Sequence, residues 1–363
     1  MTASRAMSAP AEKILSVPTQ ALSPEEAARF LLPFGVGAPE RTETLLSYDW
    51  EGGAFRRIVR CRYGAGDLVL KVRREEELPL SRLASQCAFS EYLAKNGVRT
   101  ARLLPVLSCG EGRSGESFAA ELPMEGGPAL VTAERFCGGQ LTVVTPDLAE
   151  AMGELLARAH TLSERGGCHA EGRVLFDPFQ ENDLFSLEEF EALLPAFSGE
   201  NGRLAEAIAA RGRELLSALS PFRALPRCAV QGDLADCNLF LTPKGELGMF
   251  DFNNCGDNAP YLDAVMHGVY IARLMEYGRP ADEALSCGMY ARFWRGYTAV
   301  RPLSQEEAAA REAFVRLICT FWKFDLLFRE DSLAALVKAD DGEAVACRLA
   351  RMAQKLDGRG VFA

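Results

Sequence analysis

The chain has 363 residues, of which 48% are hydrophobic and 25% charged, so it is long enough to bury the cores of two compact domains. Its formal charge of −10 argues against a nucleic-acid partner, which requires a basic surface, and no apolar run reaches the ~20 residues that cross a bilayer. Its eleven scattered cysteines, odd in number and without a C-x-x-C pair, predict reduced thiols in a cytoplasmic protein rather than disulfides or a zinc site.

The N-terminal part of the chain predicts a polar tail, 1–22, followed by a small and mostly antiparallel β domain. The first residues lack the basic start and apolar core of a signal peptide. Ser23-Pro24-Glu25-Glu26 then begins a helix, with a cap, a first-turn proline and acids beside the positive end. Strands are predicted at 42–48, 55–63, 67–72, 118–122 and 129–136, with a helix at 81–95.

A Cys137-Gly138-Gly139 break ends the last of these strands and marks the predicted boundary between two domains, 23–137 and 138–363. Beyond it, Thr145-Pro146 opens a helix that we expect to end at His160, which we interpret as a structural histidine. The other two histidines, His169 and His267, form no metal or triad pattern with it. Further helices are predicted at 202–217, 263–277 and 282–297.

A capping box, Ser304-Gln-Glu-Glu307, predicts the start of a long C-terminal helix. Its apolar and aromatic side chains are predicted to be core, and a minority of them could line a pocket. They are Phe314, Cys319, Phe321, Trp322 and Phe324.

The most informative stretch is 227–252, where two short apolar runs flank the turn 242–245 and predict an antiparallel hairpin. Folding this hairpin brings Asp251, after the second run, next to Asn238 and Asp233, before the first. Three oxygen-bearing side chains at one end of a ribbon suit a hard cation such as Mg²⁺. Asp and Asn are also common in turns and caps, but the joint spacing of the three favours a site.

The spacing Asp-x-x-x-x-Asn, followed by a later Asp-Phe, resembles the catalytic loop and metal-binding aspartate of kinases. The chain resembles the aminoglycoside phosphotransferase-like family, which includes choline kinases, type II homoserine kinases and CotS-like spore-coat proteins. This resemblance implies an α+β, two-lobed protein-kinase-like fold with a small antiparallel β N-lobe and a larger, mainly helical C-lobe. The departure is Gln231, which stands where the family has His. The matching elements are Gln231-Gly232-Asp233, Asn238, Phe250-Asp251-Phe252, Gly256-Asp257 and Leu262-Asp263-Ala264.

The resemblance also implies roles for the matching residues. Asp233 would orient the acceptor hydroxyl and accept its proton, and Gln231 would hold the loop by hydrogen bonds as the family His does. Asn238 and Asp251 would bind the Mg²⁺ that bridges the β- and γ-phosphates of ATP. Asp263, on the following helix, would brace the catalytic loop rather than touch the substrate.

Lys71 is predicted to bind the α- and β-phosphates of ATP. It follows the apolar residues Leu68-Val69-Leu70, where an ammonium needs a partner, although a lysine facing solvent at a sheet edge is the alternative. The family's glutamate partner falls on Gln86 in this chain, and Glu91 is the nearest acid, about 140° away around the helix. A neutral amide could still hold the lysine by a hydrogen bond.

Two more nucleotide contacts are implied by the resemblance. The turn Gly52-Gly53 would lie over the nucleotide phosphates and offer backbone N–H groups to them, whereas an ordinary hairpin turn is the alternative. Backbone groups from Glu134 to Phe136 would meet the edge of the adenine.

The predicted function is therefore ATP- and Mg²⁺-dependent phosphorylation of a hydroxyl on a small molecule, such as a metabolite or an aminoglycoside-like compound. The expected partner is that small acceptor, with no nucleic acid and no membrane. The alternative is a catalytically impaired pseudokinase that acts as a CotS-like binding or assembly protein. Gln231, Gln86 and the few glycines motivate this alternative, whereas the intact Asp233, Asn238 and Asp251 argue against it.

Overall fold

The structure, a computed structural model, describes residues 18–76, 78–107, 117–139, 141, 143–273 and 282–362. The predicted tail up to residue 17 and the end of the predicted helix 263–277 lie outside these described residues.

Contacts within the chain divide it into two compact units, which are Met1–Glu91 with Ala101–Phe136, and Tyr92–Thr100 with Cys137–Ala363. The segment 92–100 belongs to the second unit because Arg99 O accepts a hydrogen bond from the Met249 backbone N–H at 2.9 Å. This division differs from the predicted boundaries, 23–137 and 138–363, which remain a prediction.

The first unit is built on one antiparallel sheet with strand order β1-β2-β3-β5-β4. Each strand lies within one or two residues of its predicted position, because Gly-containing turns and apolar alternation define these runs well. The elements are α1 Pro24–Leu31, β1 Arg41–Asp49, β2 Phe55–Arg62, β3 Leu68–Arg74, α2 Leu80–Lys95, β4 Ala120–Leu122 and β5 Ala129–Arg135. The last residues of α2, from Tyr92 on, belong to the second unit.

Opposite faces of this sheet bury different clusters. Along β2 every second residue is buried, so Phe55 and Val59 point into the main core with Leu70 of β3 and Phe30 of α1. Leu83 and Cys87 of α2 form a second cluster with Leu130. Because Leu70 and Val72 belong to the main core, the intervening Lys71 points to the opposite face of β3.

The second unit is mainly helical and carries two small ribbons. Strand β6 pairs with β9, and β7 pairs with β8, both antiparallel. No helix among the described residues is both long and apolar enough to cross a membrane. The elements are α3 Pro146–Gly166, α4 Leu187–Leu193, α5 Gly199–Ala218, β6 Cys228–Val230, β7 Leu239–Leu241, β8 Leu247–Met249, β9 Gly256–Asn258, α6 Pro260–Arg273, α7 Glu283–Val300, α8 Gln305–Thr320, α9 Leu333–Lys338 and α10 Gly342–Leu356.

The predicted starts of α3 and α8 are confirmed by their caps, whereas the ends of both helices were predicted wrongly. Ser304 Oγ accepts from Glu307 N at 3.1 Å, and the Glu307 carboxylate accepts from Ser304 N at 2.9 Å. Helix α3 does not end at His160 but runs on to Gly166, because the buried His160 has polar partners inside the unit. Helix α8 ends at Thr320, so Phe324 lies beyond it and is 37% exposed rather than part of the core.

Two glycines set the close approach of α3 and α7. A Cβ on Gly153 would come within 2.0 Å of the Phe293 backbone oxygen, and one on Gly296 within 2.0 Å of Glu150 O.

We therefore expect Gly153→Ala to lower the free energy of unfolding by about 1–3 kcal/mol, because the helices must separate. Gly288→Ala on α7 is the control. Its Cβ meets nothing within 4 Å, so it should stabilise by about 0.5–1 kcal/mol. Urea unfolding of both variants measures the difference, and equal effects would contradict the packing.

Candidate active site

The β7–β8 hairpin forms as the sequence predicts, with Leu239 opposite Met249 and Leu241 opposite Leu247. One further hydrogen bond, from Phe250 N to Asn238 O at 2.9 Å, extends the pairing to the open end of the ribbon. Asn238 and Asp251 therefore lie at the same end, each next to a strand of the hairpin. The predicted turn chemistry is confirmed here, since Gly245 adopts φ +76° and donates its N–H to Thr242 O at 2.8 Å.

Gln231 joins the two halves of the site. Its Nε2 donates to Asp251 O at 2.9 Å, and its Oε1 accepts from Asp233 N at 2.7 Å. The side chain is fully buried, so these two backbone contacts are made away from water. Together the two contacts require one donor and one acceptor on the side chain, and a neutral amide supplies both, as an imidazole does. The departure from the family's His therefore leaves the connection between Asp233 and Asp251 in place.

The Asp233 carboxylate is oriented by two amides. Its Oδ2 accepts from Asn238 Nδ2 at 3.0 Å and from Asn254 Nδ2 at 3.0 Å. Asn238 Nδ2 also donates to the Asp233 backbone oxygen at 2.8 Å. Two N–H donors on one oxygen stabilise the charged carboxylate and fix its rotamer. Asn254 was missed by the sequence reasoning, and its only signal was its position three residues after Asp251.

Two residues of the site have backbone conformations that are uncommon elsewhere. Asp251 adopts φ +60°, a left-handed conformation that few non-glycine residues take, and its Oδ1 accepts from Asn253 N at 3.3 Å. Gly232 adopts φ +78°, and a Cβ there would come within 2.1 Å of Asn254 O. The loop around Asp233 therefore packs tightly against the segment after Asp251.

The oxygens that could hold a metal ion are those of Asn238 and Asp251. Asn238 donates its amide N–H groups to Asp233, so its Oδ1 is the atom that could bind a metal ion. The Cys237 Sγ lies 3.7 Å from this oxygen. One carboxylate and one amide oxygen suit Mg²⁺, which keeps several waters and takes further oxygens from phosphates. Within the described residues, no three His, Cys, Asp or Glu side chains group into a metal site.

A buried polar network centred on Asp263 of α6 contacts the loop that carries Asp233. Asp263 Oδ2 accepts from His160 Nε2 at 3.0 Å, and Tyr297 Oη lies 2.9 Å from His160 Nδ1. His267 Nδ1 lies 2.8 Å from Asp263 O, and its Nε2 accepts from Leu234 N at 2.6 Å. His267 thus contacts both Asp263 and the backbone of Leu234, which follows Asp233. Through these contacts Asp263 would brace the loop, as predicted.

The charges of this network follow from burial and pairing. Burial alone would raise the pKa of Asp263, but the two adjacent imidazoles hold it well below its usual range. Burial lowers the pKa of His160, although the Asp263 carboxylate opposes this shift. Asp263 is therefore the anion of the network and His160 a neutral hydrogen-bond donor to it.

The Gly256-Asp257 element anchors the loop that follows α3. Asp257 Oδ2 accepts from His169 Nδ1 at 2.7 Å, and Asp257 Oδ1 accepts from Ala170 N at 2.9 Å. A Cβ on Gly256 would come within 2.7 Å of Gly172 O, so this loop passes directly over the β9 backbone. Of the three histidines, His169 is thus an exposed side chain with a structural partner.

In the first unit, the structure pairs Lys71 with Glu134. Lys71 Nζ lies 3.0 Å from Glu134 Oε1, and both side chains are largely buried. Lys71 sits opposite Thr132 in the β3–β5 ladder, which puts Glu134, two residues on, at a diagonal position of the same sheet face. Glu91, the predicted alternative partner, instead binds Arg102 at 3.0 Å and accepts from Leu103 N at 2.7 Å. Gln86 lies buried on α2, with 2% of its surface exposed.

The other predicted nucleotide contacts also lie in the first unit. Gly52 and Gly53 form the β1–β2 turn with φ +79° and +82°, which only glycine adopts readily. Trp50 precedes them, 45% exposed and stacked on Tyr48 with ring centroids 5.7 Å apart. At the end of β5, Phe136 N donates to Asp67 O at 3.0 Å, so this N–H is used within the unit.

Comparison with known proteins identifies the family to which the chain belongs. The family model described as "Phosphotransferase enzyme family" (APH) matches residues 50–311, well over half of the chain. The chain belongs to this family, and the predicted α+β protein-kinase-like fold class is confirmed.

Two solved structures are similar to this chain in fold, and one curated protein is similar to it in sequence. A microcompartment-associated aminopropanol kinase matches with TM-score 0.57 and 18% identity, covering 91% of this chain and 94% of its own. The amicoumacin kinase hAmiN, in complex with AMP-PNP, Ca²⁺ and Ami, matches with TM-score 0.53 and 19% identity, covering 89% and 90%. At these identities the likeness shows the fold. An uncharacterized protein of Deinococcus radiodurans is 29% identical over 258 residues, which cover 70% of each chain.

Proposed function

We propose that this member of the phosphotransferase family transfers the γ-phosphoryl group of ATP to a hydroxyl of a small molecule, with Mg²⁺ as the metal. One observation carries the proposal. The hairpin and Gln231 gather Asp233, Asn238 and Asp251 into a single hydrogen-bonded loop. Phosphoryl transfer asks a protein to position the reactants and neutralise charge, and this loop offers a carboxylate base beside two oxygen ligands for a cation.

In this mechanism, Asp233 orients the acceptor hydroxyl and takes its proton, and Asn238 and Asn254 keep its carboxylate in one rotamer. Gln231 keeps the base and the metal-binding aspartate in register, because it is bonded to the backbone of both. Asn238 and Asp251 would hold Mg²⁺, which supplies charge neutralisation to the phosphates when it is bound. The amicoumacin kinase structure contains a nucleotide analogue and Ca²⁺, which supports a nucleotide and a divalent ion as ligands of this chain.

We also propose that the first unit contributes to nucleotide binding. Lys71 would bind the α- and β-phosphates, and its ion pair with Glu134 holds the ammonium in a partly buried position beforehand. The backbone of Gly52 and Gly53 would face phosphate oxygens, and the backbone of Glu134 to Phe136 would meet the adenine. Gln86 would act as a neutral partner on α2.

The non-catalytic alternative rests on Gln231 and Gln86. Gln231 makes both of the hydrogen bonds that connect the two parts of the site, so its presence does not favour a pseudokinase. The acidic composition argues against a nucleic-acid partner. The scattered cysteines, together with the need for ATP, favour the cytoplasm as the compartment.

The test is an ADP-release screen over hydroxylated metabolites and aminoglycosides, with Mg²⁺ and with EDTA in its place. We expect release that depends on one acceptor class and on Mg²⁺, above a slow background hydrolysis of ATP. If Mg²⁺-ATP produces neither background hydrolysis nor turnover of any acceptor, and does not bind, the pseudokinase alternative replaces this proposal.

Lys71→Met should weaken ATP binding by about 10- to 100-fold, because a charged hydrogen bond to the phosphates is lost. Tryptophan fluorescence is the readout, since Trp50 is exposed beside the glycine turn whereas Trp294 and Trp322 are buried. Lys95→Met, which removes an exposed lysine at the end of α2, is the control and should leave affinity unchanged. Equal affinities of the Lys71 variant and the wild type would exclude Lys71 from nucleotide binding.

A further inference from the structure

The peptide group between Asp233 and Leu234 is held at both ends. Its carbonyl oxygen accepts from Asn238 Nδ2 at 2.8 Å and from Ala235 N at 2.8 Å. Its N–H, on the fully buried Leu234, donates to His267 Nε2 at 2.6 Å. Because a peptide group is planar, fixing both its carbonyl and its N–H sets the direction in which the Asp233 side chain leaves the loop.

The hydrogen bonds assign the protons on the two buried histidines. His267 Nε2 accepts from Leu234 and so carries no proton, which places the proton on Nδ1, 2.8 Å from Asp263 O and 3.2 Å from Asp263 Oδ2. His160 donates from Nε2 to Asp263 Oδ2 at 3.0 Å and accepts the Tyr297 hydroxyl at Nδ1. In the state in which these hydrogen bonds are made, both imidazoles are neutral around one carboxylate.

We propose that His267 is a positioning residue for the reaction assigned under Proposed function, and that only its neutral form holds the Asp233–Leu234 peptide in the productive orientation. A protonated His267 has N–H groups at both ring nitrogens and no acceptor for Leu234. The buried Leu234 N–H would then face another N–H, and the peptide must turn away. Misplacing a base by about 1 Å is enough to lower turnover by about 10²-fold.

The direction of the pH effect follows from the groups that face His267. These are Asp263 on its own helix, His160 from α3 and Asp233 from the catalytic loop. Burial alone would lower the pKa of His267, but the Asp263 carboxylate outweighs it and raises the pKa. Protonation therefore begins at or above the usual range of histidine, and turnover should fall as the pH drops through that pKa. On this acid limb the turnover number should decrease about tenfold per pH unit.

The first arm of the test is hydrogen exchange at Leu234, which needs no turnover. We expect the wild-type amide to be protected at pH 8 and to lose protection about tenfold at pH 5.5, after correction for intrinsic exchange. In His267→Gln the side-chain oxygen can accept the N–H at either pH, so protection should not change between them. In His267→Leu no acceptor remains, and the amide should exchange rapidly at both. Wild-type protection that is the same at both pH values would overturn the proposal.

The second arm is the pH profile of the turnover number at saturating Mg²⁺-ATP. Wild type should show the acid limb, His267→Gln should lack it, and His267→Leu should be slow throughout while its KM for ATP stays close to that of wild type. His169→Gln is the matched control, because His169 is exposed and its Nδ1 lies 2.7 Å from Asp257 Oδ2; its profile should follow wild type. An acid limb that persists in His267→Gln belongs to another group, such as the nucleotide, and contradicts the proposal. If wild type turns over no acceptor, the proposed function fails, and the exchange arm alone decides the role of His267.

Discussion

Replacing Asp233 with asparagine should lower the turnover number by about 10²–10⁴-fold, because a neutral amide cannot take the proton of the acceptor hydroxyl. The side chain keeps its volume and one oxygen, so Asn238 and Asn254 retain a group to donate to. We therefore expect the affinity for nucleotide to stay within about twofold of wild type. Steady-state kinetics with ADP release, together with an ATP titration followed by Trp50 fluorescence, measure the two quantities separately.

Asp236→Asn is the matched control for this substitution. Asp236 lies in the same loop, is buried, and accepts the Cys237 N–H at 3.0 Å, which an asparagine oxygen can also do. Its turnover should stay within about threefold of wild type. If Asp233→Asn turned over as fast as Asp236→Asn, Asp233 would have no role as the base.

Asp251→Asn should lower turnover by at least about 10²-fold and remove most of its dependence on Mg²⁺, because the proposed carboxylate ligand is lost. Asparagine tolerates the left-handed backbone that Asp251 adopts at φ +60°, so the fold should be kept. A Mg²⁺ titration of the initial rate measures the effect, and the thermal midpoint without ligands checks the fold.

Asp340→Asn provides a conformational control. Asp340 is an exposed aspartate outside the proposed site, and it adopts a similar left-handed backbone with φ +54°. Its substitution tests the backbone effect without touching the candidate ligands, and it should leave the rate and the Mg²⁺ dependence unchanged. A Mg²⁺ titration of Asp251→Asn that superimposes on that of wild type would exclude Asp251 as a metal ligand.

Local patterns predicted the ribbon at the centre of the site because its determinants are close in sequence. The turn at 242–245 and its two apolar runs fix the pairing of Leu239 with Met249, and the pairing then places Asn238 beside the residues after β8. The caps of α3 and α8 could be predicted for the same reason. The hydroxyls of Thr145 and Ser304 accept hydrogen bonds from backbone amides only three residues away.

Side-chain contacts between residues that are distant in sequence could not be predicted from local patterns. Glu134 reaches Lys71 through the register of β3 with β5, which depends on how a whole sheet assembles rather than on either strand alone. His267 reaches Leu234 across 33 positions, and as one of three scattered histidines it carried no local signature. Asn254 adjoins a recognisable motif, but nothing in its neighbours predicted a bond to Asp233.

The wrong helix ends have a related cause. The prediction stopped α3 at His160 because a polar residue closing an apolar stripe is typical of a helix end, yet Tyr297 and Asp263 satisfy this histidine inside the unit. Helix α8 was predicted to extend to Phe324 because an aromatic run is typical of a buried face. The chain instead leaves the helix after Thr320, and the buried Trp322 lies beyond its end.

The proposed chemistry depends on a nucleotide that binds together with a divalent ion, and thermal unfolding measures this most directly. The midpoint of the wild-type protein should rise by several degrees with millimolar ATP and Mg²⁺, because a ligand that binds the folded state alone stabilises it. The rise should shrink markedly when EDTA replaces Mg²⁺, and in Asp251→Asn it should be the same with and without the metal. A midpoint that stays at the ligand-free value in ATP and Mg²⁺ would contradict the assignment of Asp233, Asn238 and Asp251 to phosphoryl transfer.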